Sequence, residues 1–212
     1  MGRNKKYERE DIARKAMQVF WRHGYDGTST QMLVDEMGVN RFSLYAEFGN
    51  KQSLYEAALA LYEAEVVERN IGVLDQPGAD LDTIARLILG FGAWACQPGS
   101  EVGCFICNTA TERAPYDPGS QTFVNRYVER LGAGFTRCLA QAARLGQLRK
   151  DVDEVAEGRF LATLLLGFFV QLRAQVRADL VQTSAQATLT YLQRLTVPGR
   201  WHPLSAGQTE PS

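Results

Sequence analysis

Apolar residues recur along this chain at intervals of three and four residues, the spacing that places them on one face of an α-helix. A first helix is predicted at about residues 8–23, with Ile12, Ala16 and Phe20 on its apolar face and Gly24 as the residue that ends it. The sequence shows no convincing alternation of apolar and polar residues, the pattern of a β-strand. The predicted fold class is therefore all-α.

Two short helices are predicted after the first one. Ser29 can cap a helix of about residues 30–37, and Asn40 can cap another of about residues 41–48, with a tight turn at Gly38 between them. This spacing predicts a helix-turn-helix at about residues 29–48.

The rest of the chain reads as helices separated by breaks, the last of them around Asp179. These helices are predicted at about residues 51–70, 81–96, 104–113, 120–145, 152–178 and 183–195. Residues 198–212 hold three prolines and two glycines and are expected to form a mobile tail. The predicted domains are residues 1–55, with the helix-turn-helix, and the larger helical region of residues 56–197.

The net charge of −1 and the isoelectric point near 6.2 do not by themselves indicate a nucleic-acid partner. The distribution of charge is more informative. Residues 1–55 carry nine Lys or Arg and seven Asp or Glu, whereas the remaining residues carry fourteen and seventeen. Arg3, Lys5 and Lys6 form a basic arm at the start, so we expect a polyanion to meet the N-terminal region.

The N-terminal residues lack the apolar core of a secretory signal, so a cytoplasmic location is expected. The longest apolar stretch, residues 160–172, is too short to span the ~30 Å hydrocarbon core of a bilayer and is interpreted as a buried helix, with no membrane partner. A reducing compartment argues against a disulfide framework for the four cysteines, Cys96, Cys104, Cys107 and Cys138.

The second helix of the helix-turn-helix suits DNA recognition, because such a helix points its N-terminal residues at base edges. Arg41 and Ser43 offer donors there, and Phe42 could contact a thymine methyl group. Tyr45 and Lys51 suit phosphate contacts. The candidate DNA-binding residues are Lys5, Lys6, Thr28, Thr30, Gln31, Asn40, Arg41, Phe42, Ser43, Tyr45 and Lys51. Leu44 and Phe48 are expected to pack inward.

About residues 8–58 resemble the N-terminal domain of the tetracycline-repressor (TetR/AcrR) family. The resemblance rests on Ala16 to Phe20, Gly24-Tyr25, Thr28-Ser29, Gly38-Val39, Ser43-Leu44-Tyr45, Phe48, Lys51 and Leu54. The chain departs from that pattern at Phe42, where a small residue is frequent, and at Glu47, where a phosphate-binding histidine is frequent. Glu47 would repel phosphate and is not a candidate.

The resemblance implies that the C-terminal helices form a dimer interface and a pocket for a small molecule. Candidate ligand-binding or sensing residues are Phe91, Trp94, Cys104, Phe105, Cys107, Asn108, Thr111, Glu112 and Phe168. The alternative interpretation is that the aromatic residues belong to the core. For the dimer interface we expect Phe160, Leu164, Phe168, Leu172, Leu189 and Leu192.

Residues 103–112 are similar to a segment of a TetR subgroup, some members of which sense electrophiles or oxidants through cysteine. Cys104 lies near a predicted helix N-terminus, where the helix dipole can lower the pKa of a thiol. Cys104 and Cys107 are therefore either sensors or core residues. Their spacing resembles half of a zinc site, but a second pair of ligands is lacking, so no metal and no cofactor are predicted.

The sequence contains no glycine-rich phosphate loop and no nucleophile elbow, which argues against an enzyme. The predicted function is a dimeric transcriptional repressor that a small molecule or electrophile releases from a palindromic operator in double-stranded DNA. The alternative is a DNA-binding protein that organises the chromosome without any inducer.

Overall fold

A computed structural model describes the backbone of residues 2–202 and the side chains of residues 9–202. The described part of the chain is helical, as predicted, with one isolated β-bridge between Leu148 and Thr196. The helices are α1 (Gly2–His23), α2 (Thr30–Met37), α3 (Arg41–Phe48), α4 (Lys51–Tyr62), α5 (Glu68–Ile71), α6 (Leu81–Trp94), α7 (Phe105–Glu112), α8 (Pro118–Arg144), α9 (Glu154–Arg173) and α10 (Ala178–Leu195).

The predicted caps of the helix-turn-helix are present. The side chain of Ser29 accepts a hydrogen bond from the N–H of Met32 at 3.1 Å at the start of α2. The side chain of Asn40 accepts one from the N–H of Ser43 at 2.8 Å at the start of α3. Gly38 ends α2 with a φ of 67°, the left-handed conformation that glycine adopts without strain. Both helices therefore have the bounds that the sequence predicted.

The long helix predicted at residues 51–70 is not regular. After α4 the chain forms a π-helical turn at Glu63–Val67 before α5 begins, and a 3₁₀ turn at Gly72–Asp75 follows. Arg14 of α1 donates to Glu65 in the π-helical turn at 2.5 Å. Helical periodicity alone does not distinguish such a turn from α-helix, because the apolar spacing changes by a single residue.

The chain forms two compact units whose bounds differ from the predicted domains. The first unit contains the residues up to Glu68 together with Cys104–Asn125, and the second contains Arg69–Gly103 together with the residues from Arg126 onward. The segment Cys104–Asn125 was predicted to belong with the C-terminal helices. It belongs to the first unit because α7 packs on α4, where the Tyr55 hydroxyl lies 2.7 Å from the Thr109 hydroxyl.

The second unit has a core of apolar residues from α6, α8, α9 and α10. Its fully buried members include Ile88, Phe135, Leu165 and Leu189. α6 and α10 cross closely, since a Cβ on Gly92 would lie 2.9 Å from the Cβ of Ala185. The break between α9 and α10 falls at residues 174–177, where Gln175 has a φ of 54°, and not around Asp179 as predicted.

The predicted mobile tail needs correction at its start. The N–H of Val197, the residue just before the predicted tail, donates to the carbonyl of Gln147 at 2.8 Å in the turn after α8. Trp201 is buried, and its Nε1–H donates to Asp82 at 2.8 Å. The sequence prediction weighed the prolines and glycines and missed this single aromatic anchor. Residues 203–212 lie outside the described part.

The apolar stretch at residues 160–172 lies within α9, as expected for a buried helix. The stretch itself is short, but the whole of α9, with 20 residues and a mean hydropathy of 1.5, is long and apolar enough to cross a membrane by length and composition alone. Its inward face is covered by the second unit. That face consists of Gly158, Leu161, Ala162, Leu165, Phe168, Phe169 and Leu172. Other apolar residues of α9 are exposed, among them Phe160 and Val170.

Candidate DNA-binding and sensing sites

The N-terminal end of α3 is exposed. Arg41 and Ser43 are both exposed, and Phe42 is 85% exposed. The opposite side of the helix packs inward through Leu44 and Phe48, as predicted. Phe42 therefore lies accessible between two hydrogen-bond donors at this end of the helix.

Tyr45 connects α3 to α2. Its hydroxyl oxygen lies 2.7 Å from the hydroxyl oxygen of Thr30, and the guanidinium carbon of Arg41 lies 5.7 Å from the centre of its ring. Both predicted site residues Thr30 and Tyr45 are half-buried. A polar contact between two candidate DNA-binding residues therefore joins the two helices of the motif.

Three further candidates are engaged within the first unit. Thr28 is buried, and its hydroxyl donates to the carbonyl of Gly24 at 2.6 Å, so this side chain is engaged inside the first unit and not presented on the surface. Gln31 is exposed and donates to Asp35 at 2.7 Å. Asn40 is exposed, but its side-chain oxygen serves as the cap of α3.

Lys51 lies over an aromatic ring. Its Nζ is 4.2 Å from the centre of the Tyr25 ring, and burial lowers the pKa of its ammonium group. The guanidinium carbon of Arg113 lies 4.1 Å from the centre of the same ring. Sequence reasoning missed this contact, because residues 25, 51 and 113 are brought together only by the fold.

Two candidates of the basic arm, Lys5 and Lys6, have side chains outside the described residues. The backbone there belongs to α1, which begins at Gly2 and not near residue 8 as predicted. Glu47, which departs from the family pattern, has a carboxylate oxygen 3.5 Å from Nε of Arg9 on α1. This ion pair gives Glu47 a role inside the first unit.

Cys104 and Cys107 lie side by side in the core of the first unit. Cys104 is the N-cap residue of α7 and 1% exposed, and Cys107 is 7% exposed. A hydrogen bond with the Cys104 thiol, together with burial, raises the pKa of the Cys107 thiol well above its usual value. Burial and the neighbouring Cys104 also raise the pKa of Tyr62. Cys107 is therefore held as a neutral thiol at physiological pH.

The aromatic candidates fall into separate clusters. Phe105 is fully buried between Tyr55 and Tyr62, at 5.3 Å and 5.6 Å between ring centres, and belongs to the core of the first unit. Phe91 belongs to the second unit, with its ring centre 4.9 Å from that of Phe169 and 6.4 Å from that of Trp94. Phe168 is buried in the second unit as well.

The polar candidates of α7 make contacts within the first unit. The hydroxyl of Thr111 donates to the carbonyl of Asn108 at 3.1 Å on an exposed surface. The carboxylate of Glu112 accepts a hydrogen bond from the N–H of Asp26 at 2.8 Å. Glu112 was predicted to orient a ligand, and the structure places its carboxylate on the loop before α2 instead. Among the described residues, no group of three or more His, Cys, Asp or Glu could hold a metal ion.

Two family models match the chain. The model described as "Bacterial regulatory proteins, tetR family" matches residues 12–58, and the model described as "Tetracyclin repressor-like, C-terminal domain" matches residues 81–188. The first match contains α2 and α3, and the second extends over α6 to α9 and part of α10. The family resemblance seen in residues 8–58 is therefore confirmed and extends to the C-terminal helices.

The chain is also similar to individual regulators. It is 33% identical over 200 residues to the uncharacterized HTH-type transcriptional regulator YezE of Bacillus subtilis (strain 168). The aligned region covers 91% of this chain and 100% of that protein. It is 28% identical over 193 residues to the HTH-type transcriptional repressor ComR of Escherichia coli (strain K12), with 89% and 90% covered.

Operator-DNA complexes are among the similar solved structures. One of them is a cysteine mutant of the TetR family transcriptional regulator CifR in complex with a 26-base-pair operator. The match covers 84% of this chain and 93% of the CifR chain, with a TM-score of 0.67 and 25% sequence identity. This chain belongs to the TetR family of bacterial regulatory proteins and is a helix-turn-helix transcriptional regulator.

Proposed function

We propose that the protein is a dimeric repressor that binds a near-palindromic operator and leaves it when the second unit binds a small molecule. The observation that carries the proposal is the exposed end of α3, where Arg41, Phe42 and Ser43 face solvent on a helix held by its buried side. ComR is named as a repressor, and the CifR structure contains operator DNA, which supports the same role here.

A second copy of the chain is the proposed partner of α9. The interface predicted from sequence needs revision, because Phe168, Leu172, Leu189 and Leu192 are already buried within one chain. Part of the remaining apolar surface of α9 forms a stripe at helical spacing. It consists of Phe160, Leu164, Gly167 and Val170, which are all exposed or half-buried. Two copies that cover this stripe would present two recognition helices, and one helix alone reads too few bases for specificity.

Release requires that the inducer bind one conformation better than the other. The two recognition helices of a dimer must match half-sites one helical turn apart, about 34–36 Å along the DNA. A ligand that binds the DNA-free form more tightly shifts the population away from that spacing. Phe91, Trp94 and Phe168 of the second unit stay the candidates for contact with such a ligand.

Selection of DNA fragments by the purified protein tests the proposal. We expect recovered fragments to share a near-palindrome, and Arg41→Ala to relax the preference at one base position by ~1–3 kcal/mol. Arg86→Ala, which removes an exposed arginine of α6, is the matched control and should leave the preference unchanged. Recovery of no shared sequence would overturn the proposal and favour the inducer-independent alternative. A thermal-shift screen with small metabolites would also distinguish the two, because only the proposed repressor should be stabilised by a ligand.

Release through the thiols is a second candidate, favoured by the contact between Cys104 and Cys107. An oxidant such as hydrogen peroxide would take two electrons from the pair, form one disulfide and leave two waters. Because both thiols are buried, the reaction requires local opening of the first unit.

Cysteine variants separate this candidate from a non-covalent inducer. We expect Cys104→Ser to bind DNA normally and to ignore electrophiles, and Cys107→Ser to respond partially. Cys96→Ser removes the exposed thiol and serves as the control. If Cys104→Ser and Cys107→Ser both respond like the unmodified protein, the two thiols are core residues and a non-covalent ligand remains.

A further inference from the structure

The C-terminal end of α7 lies against the loop that precedes the helix-turn-helix. Glu112 is the last residue of α7, and its carboxylate accepts the hydrogen bond from the Asp26 N–H at 2.8 Å. The same carboxylate lies so close to Gly24 that a Cβ there would be 2.5 Å from one of its oxygens. Gly24 has a φ of 73°, so its backbone conformation favours glycine, and a side chain there would also displace the Glu112 carboxylate.

The loop in turn determines where α2 begins. The Thr28 hydroxyl donates to the carbonyl of Gly24 at 2.6 Å in a buried setting, and the next residue, Ser29, caps α2. A displacement of Gly24 or Asp26 would therefore move the start of α2. Because the Tyr45 hydroxyl of α3 is hydrogen-bonded to the Thr30 hydroxyl in the first turn of α2, the displacement would extend to α3.

A second set of contacts joins the same segment to the first turn of α4. Arg113 lies over the Tyr25 ring and donates to the side-chain oxygen of Gln52 at 3.1 Å. The side-chain nitrogen of Gln52 donates to Asp117 at 2.9 Å. Residues 112–117 thus contact both ends of the helix-turn-helix region, although more than sixty positions separate them from the end of α3 in the sequence.

We propose that Glu112 is a positioning residue for operator binding, which holds residues 24–26 and through them α2 in the orientation that α3 needs to enter the groove. This inference rests on the proposed function. It also suggests how a change elsewhere on α7 would reach the DNA-binding surface. α7 has eight residues, so Cys104 and Glu112 lie at opposite ends of a rigid element about 12 Å long.

The test compares Glu112→Gln with Glu112→Ala. The amide oxygen of glutamine can still accept the Asp26 hydrogen bond, so we expect Glu112→Gln to bind the selected operator within roughly twofold of the unmodified protein. Glu112→Ala loses the bond, and we expect roughly fivefold weaker binding and a smaller salt dependence, because phosphate contacts fall out of register. Glu101→Ala, which removes an exposed carboxylate from the second unit, is the control.

Hydrogen exchange separates positioning from general loss of stability. In Glu112→Ala the Asp26 amide should exchange faster, while the amides of α8 and α9 keep their protection. The fraction of the protein that binds DNA at saturating operator should equal that of the unmodified protein. Equal operator binding by Glu112→Ala and the unmodified protein would overturn the proposal. An equal loss of operator affinity in Glu112→Gln and Glu112→Ala, with unchanged hydrogen exchange at the Asp26 amide, would also overturn it. Failure of the unmodified protein to bind any selected DNA would overturn the proposed function, and the positioning role with it, even if exchange at Asp26 still reports the contact.

Discussion

Thr30 and Tyr45 place their hydroxyl oxygens 2.7 Å apart, which makes them the polar link between the two helices of the helix-turn-helix. Each hydroxyl could also meet a phosphate, so the same atoms have two candidate roles.

A double-mutant cycle on this pair separates the two roles. We expect Tyr45→Phe to weaken operator binding by ~1 kcal/mol, the usual size of one hydrogen bond, and Thr30→Val to have a similar effect. If the hydroxyls act through each other, the double variant is no worse than either single variant. Additive losses, measured by fluorescence anisotropy with labelled operator, would instead indicate separate phosphate contacts.

Replacement of Lys51 by alanine tests whether its ammonium group contacts phosphate or only the Tyr25 ring. A phosphate contact predicts that the slope of log affinity against log salt decreases by about one unit and that all DNA sequences are weakened alike. A role confined to the contact at 4.2 Å with the ring of Tyr25 predicts weaker binding with an unchanged slope. Lys51→Arg keeps the charge and should preserve the slope in either case.

The exposed stripe on α9 predicts the effect of a charge at the proposed dimer interface. Phe160 is 43% exposed in the single chain, so Phe160→Glu should leave the fold intact and produce a monomer with much weaker operator binding. Val155→Glu, at another exposed position of α9 outside the proposed stripe, is the control. Sedimentation velocity at micromolar concentration measures the oligomeric state. An unmodified protein that is monomeric under these conditions and still binds its operator specifically would contradict the prediction.

Two glycines of α6 should respond oppositely to alanine. A Cβ on Gly92 would lie 2.9 Å from the Cβ of Ala185, so Gly92→Ala should lower the free energy of unfolding by ~1–3 kcal/mol through overpacking. A Cβ on Gly90 would meet nothing within 4 Å, so Gly90→Ala should raise it by ~0.5–1 kcal/mol through helix propensity. Urea denaturation of both variants measures the difference, and equal effects would argue against the close crossing of α6 and α10.

The buried Cys138 predicts a loss of stability at alkaline pH. Burial raises the pKa of this thiol to about 12, whereas the unfolded chain has the ordinary value near 9. Between these values the folded state holds more protons than the unfolded state, so stability is complete below about pH 9 and falls as the pH rises. The fall contributed by one such thiol is at most ~1.4 kcal/mol per pH unit.

Urea denaturation between pH 9 and 11 measures this slope. Cys138→Ala should reduce the slope, and Cys96→Ala, which removes the exposed thiol, should not. An identical pH dependence in both variants would show that the Cys138 thiol does not contribute to the alkaline loss.

The sequence by itself determined the helix-turn-helix, because its signals are local. Ser29 and Asn40 cap the helices that follow them, Gly38 supplies the left-handed turn, and Leu44 and Phe48 lie four residues apart on one face. Each of these signals acts within a few residues along the chain. The bounds of α2 and α3 could therefore be predicted without knowledge of the rest of the fold.

Only the tertiary structure decided which distant residues complete the site. Local pattern assigned Thr28 to DNA and Glu112 to a ligand, whereas the fold buries the hydroxyl of Thr28 and places the Glu112 carboxylate on the Asp26 N–H. Phe168 and Leu189 likewise satisfy the pattern of an interface, and the second unit buries them within one chain. The apolar period of a helix shows that a face is covered but not by what, because covering residues come from elements that are remote in sequence.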